Sequence, residues 1–455
     1  MTRATHRSAE EIGRTELGPR PLPPLAEPPP GRTPEAVDTV LDNGLRVIAA
    51  RHGVVPMVEL RMRIPFAGQA PEHPARAEVL AETLLTGTER RDRFQVDTDL
   101  AEAGADLHAV VDPERLSIGG DALADGLDTL LDVLADALTG AVYRDEEVEG
   151  ERTRLVERIS VARSQPRTIA REELQRHRYG DHPFVREVPD ADDVAAVTAE
   201  EVRRLHRESV LPRGSVLVLV GDIDPERAVA DVARAFDSWD SPGAAFELPA
   251  LPVVTGGPVR LVHRPGAVQS QLRFSAQALP RTDERYPALQ VANLVFGGYF
   301  SSRLVENIRE DKGYTYGAHS SFEFTPGNGT LLVDADTASE VTAAALLEIR
   351  YEFARMALTP PTPEEVESAR QYAIGGLLTS TSSQSGMASM LMALAASGLG
   401  ADWLGAHPDR LRAVTVEQIA EAAALFAPTA FTGIVVGDAD VLADQLRMLG
   451  GVELP

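Results

Sequence analysis

The sequence contains no cysteine. Disulfides, thiol nucleophiles and zinc–thiolate sites are therefore excluded. It contains one lysine, Lys312; every other cationic side chain is an arginine. With alanine abundant as well, this reads as codon bias rather than function. No run of about 18 apolar residues occurs, so no transmembrane helix is expected. Positive charge is scarce: 44 Lys and Arg stand against 69 Asp and Glu, a formal net charge of −25. Such a surface repels nucleic acid and anionic membrane, and neither is an expected partner. Walker loops, G-x-S-x-G elbows and dinucleotide fingerprints are missing, and Gly297-Gly298 is too short to cradle a phosphate. The first residues lack the apolar core of a secretory signal, so a cytoplasmic location is expected.

The 455 residues suffice for two or three domains. Residues 1–35 are proline-rich and read as an extended or disordered lead-in. Beyond them "DTVLDNGLRVIAAR" predicts a hairpin turning at Asn43-Gly44. "VELRMRI" alternates as a strand. Helical patterns follow over 74–87, 94–104, 125–138, 144–164 and 198–209. "SVLVLVGDID" is a buried strand, and 225–238 a closing helix.

The order then repeats. "GPVRLVHRPG" answers "GLRVIAARHG", and "QSQLRFSAQ" answers "VELRMRIPF". "VTVEQIAEAAALF" answers "VTAEEVRRLHRES", and "TGIVVGDADVLADQL" answers "VLVLVGDIDPERAVADV". The offsets agree: 213 from Gly53 to Gly266, 217 from Val197 to Val414, 216 from Gly221 to Gly437. This predicts a duplicated α+β architecture. Two homologous domains, 36–240 and 259–455, each pack helices on one face of a mostly antiparallel sheet. A Pro- and Gly-rich linker, 241–258, joins them as a clamshell.

"EVLAETLLTGT" places Glu78 and Glu82 four apart on one helix face, with Ala81 between them. This stretch resembles the H-x-x-E-H helix of the inverted-zincin (pitrilysin, insulinase) peptidase family, and within it the mitochondrial-processing-peptidase-like subunits. In that frame Glu78 and Glu82 stand at the two histidine ligand positions and Ala81 at the catalytic glutamate. The family's third ligand lies on a second helix, here "EGERTRLVERIS". Aligned on Ile159, Arg158 takes the ligand position and Glu151 that of a supporting carboxylate. Glu157 becomes the ligand only if the frame slips by one residue.

Catalytic zinc needs neutral nitrogen ligands, a carboxylate and an open position for water, with a base to take that water's proton. The resemblance therefore implies a degenerate site with no metal in this chain. Two readings stay open for it. In one, the Arg158 guanidinium supplies to Glu82 the positive charge that zinc would supply. In the other, Glu78 and Glu82 simply line a wet cleft.

"GGYFSSRLVENIREDKGYTYGAHSSF" resembles the family's second-domain S-R-L-x-x-x-L-R-E-x-x-G-L-A-Y segment. Arg309 and Tyr316 fall on its arginine–tyrosine pair, with Tyr314 and His319 as less certain neighbours. A guanidinium and a phenol aimed at a substrate carbonyl stabilise the charge that develops there during hydrolysis. "YGDHPF" resembles a family loop and makes His182 a turn residue. The resemblance thus implies a non-catalytic subunit of a heterodimeric zinc peptidase. It would lend Arg309 and Tyr316 to a homologous partner that holds the zinc, around an unfolded peptide. The acidic balance suggests a basic peptide. The alternative is a scaffold or binding protein of the same fold with no part in proteolysis.

Overall fold

The computed structural model describes residues 33–325 and 327–455. Most of the proline-rich lead-in, 1–32, lies outside the described residues. Strands β1 (Ala36–Val40) and β2 (Arg46–Arg51) pair antiparallel. Gly44 turns the chain at φ +90°, a conformation that costs glycine little, and Asn43 Oδ1 accepts from Leu45 N at 3.1 Å. Strands β3 (Met57–Pro65), β4 (Asp106–Val111), β5 (Arg115–Leu123) and β6 (Val216–Gly221) complete a six-stranded sheet of order β1-β2-β6-β3-β5-β4. All its pairings are antiparallel except β2 with β6.

The second half repeats this topology with β7 (Val259–His263), β8 (Gln269–Ala278), β9 (Ala318–Thr325), β10 (Asn328–Ala338) and β11 (Thr432–Gly437). Its order is β12-β7-β11-β8-β10-β9, with β7 and β11 parallel as β2 and β6 are. The outer strand breaks the symmetry. In the first sheet it is the incoming β1, antiparallel to β2. In the second it is β12 (Val452–Glu453), from the chain's end and parallel to β7. The repeat extends to helix starts. Thr198 and Thr415 each cap a helix through a reciprocal box, with Glu201 and Gln418 respectively.

Four helices position the features described below: α1 (His73–Thr83), α2 (Asp145–Ser164), α3 (Pro166–Tyr179) and α4 (Gln384–Ala396). The first sheet buries Val47, Leu60, Met62 and Leu217 against helices of its own half, including α1. Its other face carries Ile48, Ala50, Val218 and Val220. These pack on Met387, Ala388, Leu391 and Leu394 of α4, a helix from the second half. The second sheet does the reverse: its Ile434 and Val436 pack on Ala170 and Leu174 of α3, from the first half.

Polar contacts fasten this exchange. Gln384 Nε2 donates to the carbonyls of His52, Val55 and Met57 at 2.8, 2.9 and 3.0 Å. Arg178, with 1% of its side chain exposed, donates to Ser275 Oγ and Thr330 Oγ1 at 3.1 and 3.2 Å and pairs with Glu323 at 2.5 Å. The sequence pattern does not contain α3. Its interior-facing side chains are largely polar, and their partners lie about a hundred or more residues away.

Candidate active-site positions and the interdomain groove

Helix α1 carries Pro74 as its second residue, where the missing N–H costs nothing in the first turn. It buries Ala75, Ala77, Val79, Leu80 and Ala81, which leaves Glu78 and Glu82 on the side toward α2. Arg158 reaches across from α2, and its terminal nitrogen donates to Glu82 Oε1 at 2.7 Å. The pair is open to water, with side-chain exposures of 56% and 29%. Its net worth therefore falls in the range of exposed pairs, about 0–1 kcal/mol. Glu157 is exposed on α2 and makes no hydrogen bond or ion pair with Glu82; the residue of α2 that reaches Glu82 is Arg158.

Glu78 has no hydrogen bond or ion pair among the described residues. It lines a narrow cleft with Ala77, Val111, Asp112, Arg186 and Glu187. Burial raises its carboxyl pKa from 4.5 to about 7; the charges of Glu82 and Glu187 add to this and Arg158 opposes it. Glu151 faces elsewhere, toward Arg93 at 3.2 Å and toward Arg154. Burial works against its ionisation, but those arginine hydrogen bonds hold it below the ordinary carboxylate value.

This donor set does not fit catalytic zinc. The one imidazole on α1, His73, is held by the Phe66 carbonyl at 2.8 Å. An arginine occupies the third ligand position, and Ala81 offers no base. Elsewhere His263, Asp438 and Asp440 gather with ligating atoms within 4.8 Å of one another. Their atoms already serve the local backbone: His263 Nδ1 accepts from Ala439 N, and Asp438 accepts from Gly266 N and Asp440 N.

In the second half, Arg309 sits in a widened helical stretch, Glu306–Asp311. The stretch ends in a left-handed turn at Gly313, φ +65°, with Gly313 N bonded to Arg309 O and Tyr314 N to Ile308 O. The Arg309 guanidinium lies 5.0 Å from the Phe300 ring centroid and 3.2 Å from a Glu310 oxygen. Thr315 pins the following loop, its Oγ1 donating to Asp336 O at 2.6 Å. Tyr316, next in the chain, stands 98% exposed, and its hydroxyl has no partner among the described residues. Arg309 and Tyr316 make no contact with each other, and Tyr314 is half-buried. His182 is a turn residue, accepting from Phe184 N and held to Pro249 O at 3.1 Å.

Tyr316 lines a groove of about 660 Å³ between α3 and the face of the second sheet. Arg273, Asp334 and His319 lie abreast on three neighbouring strands on its floor. Arg273 pairs with Asp334 at 3.0 Å and with Asp336 at 2.7 Å. Burial raises the Asp334 carboxyl pKa against the pull of Arg273 and His319. The α3 wall carries Arg167, Arg171, Leu174, Gln175 and Arg178. Sequence reading missed these arginines. The spacing 167, 171, 174, 178 marks one helix face, but nothing local says what that face meets.

Comparison with known proteins agrees with this geometry. Residues 73–191 match the family model described as insulinase, peptidase family M16. Residues 196–372 match the model described as peptidase M16 inactive domain. An uncharacterized zinc protease of Streptomyces coelicolor is 28% identical over 62% of this chain, a match spanning 63% of that relative. The uncharacterized zinc protease YmxG of Bacillus subtilis is 23% identical over 75% of this chain and 83% of its own. The crystal structure of a peptidase M16 inactive domain from Pseudomonas fluorescens superposes with a TM-score of 0.80 at 20% identity, covering 89% of this chain and 98% of that one. A Helicobacter pylori protease structure gives 0.78 at 15% identity, covering 89% of this chain and all of that one.

Proposed function

The chain belongs to the M16 (insulinase) peptidase family, and from that premise we propose that it is the non-catalytic subunit of a heterodimeric zinc peptidase. Zinc and the base belong to a homologous partner with an intact H-x-x-E-H helix. This chain contributes Arg309 and Tyr316, which grip the backbone of an unfolded peptide and stabilise the oxyanion. The observation that carries the reading is the pair of sites taken together. Where metal ligands would stand there is an Arg158–Glu82 ion pair and no base. At the second-half motif a tyrosine is held bare at the lip of a groove wide enough for a peptide.

A scaffold role is the second reading, and one observation favours it. Arg309 already has local partners in Phe300 and Glu310. The two readings separate on one assay. The chain is mixed with a homologous H-x-x-E-H subunit, and hydrolysis of an unstructured peptide is followed. Arg309→Ala and Tyr316→Phe should each lower kcat/KM of the mixture by roughly 10²-fold, the scale of losing one oxyanion donor. Unchanged hydrolysis with both variants refutes the paired-subunit reading and leaves the scaffold. Zinc-dependent hydrolysis by this chain alone refutes both.

A further inference from the structure

The charge on the groove wall can be traced side chain by side chain. Arg178 is committed to Glu323, Gln175, Ser275 and Thr330. Arg273 is committed to Asp334, Asp336 and Gln271. These two guanidinium groups engage Glu323, Asp334 and Asp336, which are all the carboxylates that line the groove. Two arginines remain, Arg167 and Arg171, one helical turn apart on the exposed side of α3. Arg167 makes no hydrogen bond or ion pair with any described residue; its charge reaches Asp334 only through space. Arg171 is ion-paired through its Nε with a Glu187 oxygen at 3.1 Å, and its terminal nitrogens make no hydrogen bond to any described residue. Arg167 is therefore the groove's one guanidinium with no partner among the described residues, and Arg171 stands one turn away, in a chain whose net charge is −25.

We propose that Arg167 and Arg171 form a carboxylate-recognition pair, and that the groove prefers peptides bearing an acidic side chain or a free terminal carboxylate. Guanidinium forks match carboxylate geometry and can engage it through two parallel bonds. This reverses what the overall charge suggests. At physiological salt, exposed charges beyond about 8 Å are largely screened. The side chains in contact range therefore decide the preference. The inference rests on the reading of the groove as a peptide site and names its substrate class.

The test is fluorescence anisotropy with the full chain and labelled, unstructured decapeptides. The peptides differ only at two central positions, Glu-Glu, Gln-Gln or Lys-Lys, each with a free or an amidated C-terminus. The Glu-Glu or free-carboxylate peptide should bind about tenfold more tightly than the amidated Gln-Gln peptide, as two partly shielded pairs would give. Comparison of the two arms identifies which carboxylate is read. The double variant Arg167→Gln, Arg171→Gln should abolish the preference, bringing the Glu-Glu and free-carboxylate peptides down to the affinity of the amidated Gln-Gln peptide. Both side chains are exposed, so the fold is not at stake, and an unchanged melting temperature verifies this. Equal affinity for all peptides, a preference for Lys-Lys, a preference that survives the double variant, or no binding by any peptide overturns the proposal. The paired-subunit reading fails on different data, namely partnered hydrolysis indifferent to Arg309 and Tyr316.

Discussion

Glu78→Gln isolates what a largely buried carboxyl with no partner among the described residues costs on α1. In the folded chain this group titrates at about 7 instead of 4.5, mainly through burial and secondarily through Glu82. Between those pH values the folded state keeps a proton that the unfolded state has released. Stability from this group is therefore full below about pH 4.5 and is lost as pH rises through 7. A shift of that size corresponds to about 3 kcal/mol, and partial solvent access reduces it to about 2. Unfolding entropy near 2.1 cal/mol/K per residue makes about 420 ordered residues lose roughly 1 °C per kcal/mol. Glutamine cannot ionise, so the variant should melt about 2 °C above the parent at pH 8.5 and level with it at pH 4.5. Differential scanning calorimetry across that range, at fixed ionic strength, reads the difference directly. A gap that stays constant with pH, or one that widens toward acid, refutes the reasoning.

Three further outcomes follow from the contacts. Arg178→Met removes a buried guanidinium and strands Glu323, Ser275 and Thr330; it should cost about 3–5 kcal/mol in urea unfolding, and a loss below about 1 kcal/mol would contradict the burial argument. Gln384→Ala removes one donor from each of three carbonyls, those of His52 and Val55 in the β2–β3 loop and of Met57 at the start of β3; amide exchange near residues 53–57 should quicken while α1 stays protected, and uniform acceleration would speak against a local latch. The fourfold variant Glu78→His, Ala81→Glu, Glu82→His, Arg158→Glu should gain a zinc-dependent rise in melting temperature, since positions 82 and 158 already meet at 2.7 Å; no response to zinc would mean that the helix frame has moved away from a metal-binding one.

The duplicated architecture was legible because its carriers are local. Strand alternation and the paired Thr198 and Thr415 caps act within a few residues and recur at a similar offset; the Asn43-Gly44 turn is equally local but belongs to the first half alone. Helix α3 was illegible for the opposite reason. "PRTIAREELQRHRY" looks solvent-facing, because what it buries on the second sheet includes Gln175 and Arg178 beside only two or three apolar residues. Such a face is stable only once Glu323, Ser275 and Thr330 are in place, and no periodicity encodes that. Glu78, Ala81, Glu82 and Arg158 could be aligned to a motif. The Arg158–Glu82 contact was one of two readings the motif left open; that Glu78 would be left without a partner among the described residues was not readable from it.

The exchange of α3 and α4 bears on how such a chain could admit a peptide. Each sheet has one face completed by the other half, through apolar contacts on both sides and through Arg178 and Gln384. Swinging the halves apart would uncover both faces at once. It would also strand a guanidinium with almost none of its side chain exposed, at several kcal/mol before any apolar area is counted. A substrate-driven motion of that size would need binding energy that a groove read through exposed arginines does not supply. On the paired-subunit reading, opening therefore belongs to the contact between this chain and its partner. The groove beneath Tyr316 then acts as a fixed wall, whose charge is set before the peptide arrives.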